Sequence, residues 1–255
     1  MDDGSVEFAG VSYRLSTSAM LLKDVSLRLE AGTVTALLGR SGSGKTTLLR
    51  MVNGLVRPTS GEVRVSGRPV GEAELTELRR GIGYVIQESG FFPHMTVERN
   101  VGMAMELAGR DKAEIAARVA EVLALAGIDS KEFSGRYPWQ LSGGQRQRVG
   151  LARALAMGAP VLLMDEPFGA LDPLTRAEMQ TMLKKLLQTV QKTVLLVTHD
   201  LDEALYLAER VVFLSAGAVV ADLRTDEVLA SGNPQVREYV AAVHRTFAEE
   251  RTVPS

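Results

Sequence analysis

The 255 residues are 45% apolar and 24% charged, with a formal net charge of −2. A chain of this size and composition buries a proper core, as one large domain or a domain with a subdomain, and its near-balanced charge gives no electrostatic reason to expect a nucleic-acid partner. Cysteine is absent, which excludes disulfide frameworks and thiolate metal sites. The first ten residues, MDDGSVEFAG, are acidic and lack the apolar run of a signal peptide. No stretch reaches the ~18 consecutive apolar residues of a membrane span, so any membrane role is expected to come through a partner.

Alternating apolar and polar residues at 6–11 and 24–29 predict two half-exposed strands, antiparallel to each other. TVTALLG (33–39) is a short buried-strand pattern that enters a glycine-rich turn, and KTTLLRMVNGL continues as a helix. EVRVSGRPV (62–70) predicts an exposed strand pair around Gly67, and GYVIQ (83–87) a second buried strand. From about 95 to 157 the spacing becomes helical, through MTVERNVGMAMELAG, DKAEIAARVAEVLALAGI and LSGGQRQRVGLARALAM. Buried strands return at VLLMD (161–165) and TVLLVTH (193–199), separated by an amphipathic helix from Pro173 to about Val190. DLDEALYLAE predicts a short helix, VVFLSAGAVVAD a hairpin turning at Ala216 and Gly217, and the tail from 225 is expected to be helical. Met103, Met105, Met179 and Met182 stand at helical spacings and are expected to fill core space.

GRSGSGKT (39–46) fits G-x-x-x-x-G-K-[ST] between a buried strand and a helix, the context that gives such a loop its chemistry. Its glycines let the backbone wrap closely around phosphates, and the amides of residues 42–47 would point at them with the helix dipole behind. Gly39, Ser41, Gly42, Ser43, Gly44, Lys45, Thr46 and Thr47 are therefore candidate nucleotide-binding residues, with Lys45 reaching the β- and γ-phosphates and Thr46 suited to Mg²⁺. VLLMDE (161–166) ends a hydrophobic strand in two acids. By itself such a pair reads as a solvated loop; after a phosphate loop, Asp165 is expected to hold Mg²⁺ and Glu166 to face the γ-phosphate as base or water-orienting group. His199 closes a parallel strand at the same sheet edge, where ligands bind, although a lone histidine there also fits a structural role. Gln87 likewise ends a strand. A second anion-grade loop, LSGGQ (141–145), opens a later helix. The basic residues behind it, Arg146, Arg148 and Arg153, are expected to form a solvated or interface-facing stripe.

With these motifs in place, the sequence resembles the ATP-binding cassette ATPases over nearly its whole length. In the order such proteins carry them stand the phosphate loop at 39–46, Gln87, LSGGQ, VLLMDE, a GALDP turn with Asp172, and His199. The resemblance implies an α/β fold: a P-loop NTPase core with a mixed sheet flanked by helices, an antiparallel β subdomain and an inserted α-helical subdomain. It divides a single domain of 1–255 into a nucleotide-binding core (1–88 and 159–235), a helical subdomain (89–158) and a C-terminal helical tail (236–255). It implies ATP and Mg²⁺, a catalytic group of Glu166, His199 and Gln87, and a metal set of Thr46, Gln87 and Asp165. Tyr13 falls where the family stacks an aromatic ring on adenine, although alone it reads as strand packing. Ser142, Gly143, Gly144 and Gln145, with Asp172, would serve the nucleotide of a second copy in a head-to-tail dimer, which explains why one chain carries two phosphate loops.

The insert is short and holds no long coiled coil, there is one cassette, and no membrane helices are fused to it. These features resemble the separate ATPase subunit of a bacterial importer, peripheral on the cytoplasmic face of the cell membrane. Integral permease subunits would dock near Gln87–Thr96, a solute-binding protein would act indirectly, and nucleic acid is not expected. LRRGIGYVIQESGFFPHMTVERNV (78–101), MVNGL (51–55) and FGALDPLTR (168–176) look most like the quaternary-amine group that takes up glycine betaine, choline or carnitine. Polar amino-acid importers share FPHMTV and are the alternative; a soluble non-transport cassette ATPase is a further one. Betaine-type ATPases often continue into paired regulatory domains, so control through such domains is not expected for a chain ending at Ser255. Trp139, in YPWQLSGGQ, departs from the usual residue there.

Overall fold

The computed structural model describes residues 4–86 and 90–243. Gln87, assigned above to the catalytic and metal sets, lies outside the described residues.

Two sheets and nine α-helices are laid down in the order β1(Val6–Arg14), β2(Met20–Leu29), β3(Val34–Leu38), α1(Lys45–Val52), β4(Ser60–Val65), β5(Arg68–Pro69), α2(Leu75–Arg80), β6(Ile82–Val85), α3(Val97–Leu107), α4(Lys112–Leu125), α5(Ser130–Phe133), α6(Gly143–Leu155), β7(Val161–Asp165), α7(Pro173–Val190), β8(Thr193–Thr198), α8(Leu201–Leu207), β9(Arg210–Ser215), β10(Ala218–Arg224) and α9(Pro234–Val243), among the described residues. The larger sheet runs β10-β9-β3-β8-β7-β6 and is parallel except for β10, which pairs antiparallel with β9. The smaller sheet, β2-β1-β4-β5, is antiparallel throughout.

Every residue of β3, β7 and β8 is buried, as strands covered on both faces require, and Thr35, Asp165, Thr193 and Thr198 are the polar residues buried among their apolar ones. Successive side chains point to opposite faces. Ala36, Leu38, Leu162, Met164, Val194 and Leu196 therefore enter a core shared with α3, α4, α6, α7 and α8, while Leu37, Leu163, Leu195 and Val197 join Leu48 and Leu49 of α1 and the small sheet. Met105 and Met179 are buried in the first of these cores, with Met182 packed against it. The α3, α4 and α6 helices pack on one another. The two hairpins turn as expected. Ser66 and Gly67 take φ values of 50 and 74, and Ala216 and Gly217 take 48 and 83, the two successive left-handed residues that match the twist of the flanking strands.

Three local expectations change. Strands β1 and β2 are longer than the alternation suggested, and β1 carries register shifts between Phe8 and Arg14 that interrupt the pattern. Helix α2 buries no residue and so has no apolar stripe for periodicity to detect. The tail forms its α-helix only from Pro234, after a single 3₁₀ turn at Thr225–Glu227.

Candidate functional site

Parallel strands β3, β7 and β8 end together, so the loops that follow them meet at one sheet edge, the position where open α/β sheets hold ligands. Gly39 follows β3 with no room for a side chain: a Cβ there would sit 2.2 Å from the Leu214 carbonyl oxygen. Gly42 and Gly44 adopt φ values of 77 and 102, which only glycine takes without strain. This backbone curls over the start of α1.

Among the described residues, no side chain caps the α1 N-terminus. In contrast, Thr96, Asp111, Ser142, Asp172 and Asp200 each cap their own helix, α3, α4, α6, α7 and α8. First-turn amides have no intrahelical acceptor, so the α1 amides of Lys45, Thr46 and Thr47 are left to an external anion. Ser43 Oγ, buried and without a hydrogen-bond partner among the described residues, is a further polar atom at the same place.

Lys45 is 5% exposed, and its ammonium lies folded onto the loop, donating to the carbonyls of Gly39 at 2.7 Å and Arg40 at 3.1 Å. Burial pushes its pKa down, and the nearby carboxylates of Glu166 and Asp165 push it back up. Thr46 donates to Asp165 Oδ1 at 2.8 Å. Burial raises the Asp165 pKa, opposed by the Thr46 hydroxyl and by Arg50. A hydroxyl beside a carboxylate is a hard oxygen donor pair, so the residues present fit a small divalent cation such as Mg²⁺.

Glu166 follows Asp165 with φ 46, a left-handed backbone that costs a non-glycine residue about 1 kcal/mol or more. The β8 strand pins this turn, because the Glu166 amide donates to the Val197 carbonyl at 2.9 Å. The result is that Glu166 Oε2 lies 3.3 Å from His199 Nδ1. Asp165, Glu166, His199, Lys45 and Thr46 are thus brought into one group.

LSGGQ is built differently. Ser142 Oγ accepts from the Gln145 amide at 3.2 Å, and Gln145 Oε1 accepts from the Ser142 amide at 2.9 Å. This reciprocal box occupies the Gln145 side chain and leaves the amides of Gly143 and Gly144 for another acceptor. Ser142 and Gly143 are exposed. The cavity over the phosphate loop, about 540 Å³, is lined by Gly39–Ser43, His199 and α9, and includes no residue of LSGGQ. Asp172 likewise spends its carboxylate on its own helix, accepting from the Thr175 amide at 3.1 Å, and the Thr175 hydroxyl together with that amide lowers its pKa.

Tyr13 is half-buried against the core beneath the small sheet. Of the arginines after LSGGQ, Arg146 is exposed while Arg148 and Arg153 are half-buried, and each also bonds a backbone carbonyl. Arg146 ties the Leu141 carbonyl at 2.8 Å, and Arg148 reaches the Ala126 carbonyl at 3.5 Å. Arg153, its pKa lowered by burial, donates to the Gly90 carbonyl at 2.9 Å and lies over the Phe91 ring. They act as structural ties between helices and loops. Trp139 is 71% exposed and stacks on Tyr137 with ring centroids 6.0 Å apart. Nothing in the structure explains the choice of tryptophan. No sequence motif marked Tyr239, whose hydroxyl bonds the His199 carbonyl, because a lone tyrosine on a polar helix carries no pattern.

The profile of the ABC transporter family matches residues 22–169. The osmoprotectant import ATP-binding protein OsmV of Salmonella typhimurium is 44% identical over 81% of this chain, and the chain spans only 54% of its length. The glycine betaine uptake system ATP-binding protein YehX of Escherichia coli is 45% identical over 90% of this chain and 71% of its own. Among solved structures, the dimeric bacterial ABC transporter cassette MJ0796 superposes with a TM-score of 0.77 and 34% identity, covering 86% of this chain and 98% of that one. The same cassette has been solved as a dimer in a post-hydrolysis state bound to ADP and Pi, with the same TM-score. A family profile over residues 22–169 and identity at this level over most of the chain mean that the chain belongs to the ABC transporter family.

Proposed function

We propose that this chain is the ATP-binding and ATP-hydrolysing subunit of a bacterial ABC importer. The observation that carries the reading is Glu166, held by a left-handed turn against His199, directly beside a glycine-wrapped helix end that no side chain caps among the described residues.

The α1 amides and the loop backbone hold the triphosphate, and Lys45 leaves its two loop carbonyls to meet the β- and γ-phosphates. Thr46 and Asp165 would hold Mg²⁺, which would neutralise charge developing on the transferred phosphoryl group. Glu166 accepts a proton from, or orients, the attacking water. His199 fixes Glu166 and the γ-phosphate edge, and Gln87 contributes to the metal and the water. Ser142, Gly143 and Gly144 complete the site of a second copy arranged head to tail, with Asp172 and Gln145 shaping that surface. The dimeric relatives support this arrangement. ATP is then bound from two sides and its hydrolysis removes the shared anion, which lets the copies part.

Tyr13 stacks on adenine in this reading. Tyr13→Ala is expected to weaken ATP by about 1–3 kcal/mol, the usual worth of base–aromatic stacking. ATP titration by calorimetry checks this, and an unchanged affinity would leave Tyr13 as packing alone.

The relatives named for osmoprotectant import and glycine betaine uptake support a quaternary amine, such as glycine betaine, choline or carnitine, as the transported solute. The chain would sit on the cytoplasmic face of the membrane against permease subunits, and a binding protein would deliver the solute. Among the described residues no helix is long and apolar enough to cross a membrane. The segment 89–158 is proposed as the subdomain that meets the permease. There, Phe91 packs inward, while Phe92 is 44% exposed with its backbone clasped by Asn100. A single cysteine placed at Phe92, in a chain that has none, is expected to crosslink to an integral membrane protein in native membranes. Crosslinking to soluble proteins alone would argue for a non-transport role.

A further inference from the structure

His199 is held from two sides. Its Nδ1 faces Glu166, and its backbone carbonyl accepts a hydrogen bond from the Tyr239 hydroxyl at 2.7 Å. The flanking residues of the turn are fixed from within. The Asp200 amide donates to Thr198 Oγ1 at 3.0 Å, and that hydroxyl donates to the buried carboxylate of Glu203. The peptide that joins His199 to Asp200 is thus held at its amide by Thr198 and at its carbonyl by α9, a helix that begins 35 residues later in the chain.

Tyr239 is well placed for this. Its ring is half-buried and meets Phe213 edge to face, with centroids 5.9 Å apart and planes at 76°. Phe213 lies in β9, is 3% exposed, and pairs in register with Leu38, the last residue before the phosphate loop. The phenol is therefore anchored to the same sheet that carries the site. One residue before it, Glu238 pairs with Arg40 of the phosphate loop at 2.8 Å, but both partners are exposed. Surface pairs of this kind contribute little.

We propose that Tyr239 is a positioning residue for ATP hydrolysis, its hydroxyl fixing the His199 peptide and hence the imidazole against Glu166 and the γ-phosphate. The proposal rests on the assignment of His199 to the hydrolytic site. Helix α9 then influences turnover through the His199 peptide. Catalytic geometry tolerates little displacement, and a shift of ~1 Å costs up to about 10²-fold in rate. The peptide bearing an imidazole has only two side-chain torsions between it and the reacting atoms, so loosening it spreads the ring over such distances.

The test is a double-mutant cycle on the full chain with Mg-ATP. Tyr239→Phe keeps the ring on Phe213 and removes only the donor. It is expected to lower kcat about 3–10-fold, with KM for ATP, affinity for Mg-ADP and Tm all held within error of the parent. His199→Ala is expected to lower kcat further by itself, and adding Tyr239→Phe to it should cost nothing more. Glu238→Ala, which cuts only the exposed pair, should leave kcat within about twofold. In the ligand-free chain, hydrogen exchange at the Asp200 amide should quicken in Tyr239→Phe while the β8 amides keep their protection. The proposal is overturned by an unchanged kcat in Tyr239→Phe, by an equal loss in the His199→Ala background, or by an equal loss in Glu238→Ala. Normal turnover by His199→Ala would instead remove the assignment of His199 and take this inference with it.

Discussion

Replacing Lys45 with alanine is expected to raise the dissociation constant for Mg-ATP by about 10²–10³-fold. Truncating one partner of a buried, hydrogen-bonded charge pair costs ~3–4 kcal/mol, and each ~1.4 kcal/mol is tenfold. Lys45 qualifies because it is almost wholly buried and burial already strains its charged form, so the ammonium gains most when a polyanion arrives. Its ammonium also donates to the Gly39 and Arg40 carbonyls. The alanine variant therefore also loses two loop contacts. Thermal melting without nucleotide separates the two effects: a modest fall in Tm is expected for the loop, and the large effect appears only in ATP titration. Unchanged ATP affinity would remove Lys45 from the phosphates and with it the nucleotide assignment of residues 39–47.

The parts of this site legible in the sequence were those where backbone geometry forces residue choice. GRSGSGKT is legible because Gly39 abuts a carbonyl and Gly42 and Gly44 take left-handed angles, so few alternatives fit. VLLMD and TVLLV are legible because strands buried on both faces are filled mainly by apolar side chains. What escaped was set by contacts between segments far apart in the chain. The bond from Tyr239 to the His199 carbonyl spans 40 residues and uses a backbone acceptor, which leaves no trace in composition. Arg153 looked like surface charge because its position beside Gly90 and Phe91 depends on how α6 meets the loop before α3. The strained φ of Glu166 was likewise invisible, since any residue there would read as the same strand end. Asp172 and Gln145 were legible as motif members but not as helix caps, although both lie at the offsets that capping prescribes.

Glu166→Gln is expected to slow ATP hydrolysis by about 10²–10⁴-fold, the usual cost of losing a general base. The substitution keeps shape, and glutamine takes up the same left-handed turn, so the amide from residue 166 to Val197 should persist. Nucleotide binding should survive because Lys45, Thr46 and Asp165 are untouched. ATP that is bound but not cleaved would then accumulate between two chains, and the variant should sediment as a dimer with Mg-ATP and as a monomer with Mg-ADP. The surface that closes over the partner's phosphate is Ser142 with the amides of Gly143 and Gly144 at the start of α6, where Ser142 and Gly143 are exposed. Adding Ser142→Arg should disperse the dimer by filling that approach with a long side chain and breaking the box with Gln145. A Glu166→Gln protein that stays monomeric with ATP at tens of micromolar would argue against the shared nucleotide. Hydrolysis at the parent rate would move the base elsewhere, and His199, 3.3 Å from the carboxylate, is the group that would then have to supply it.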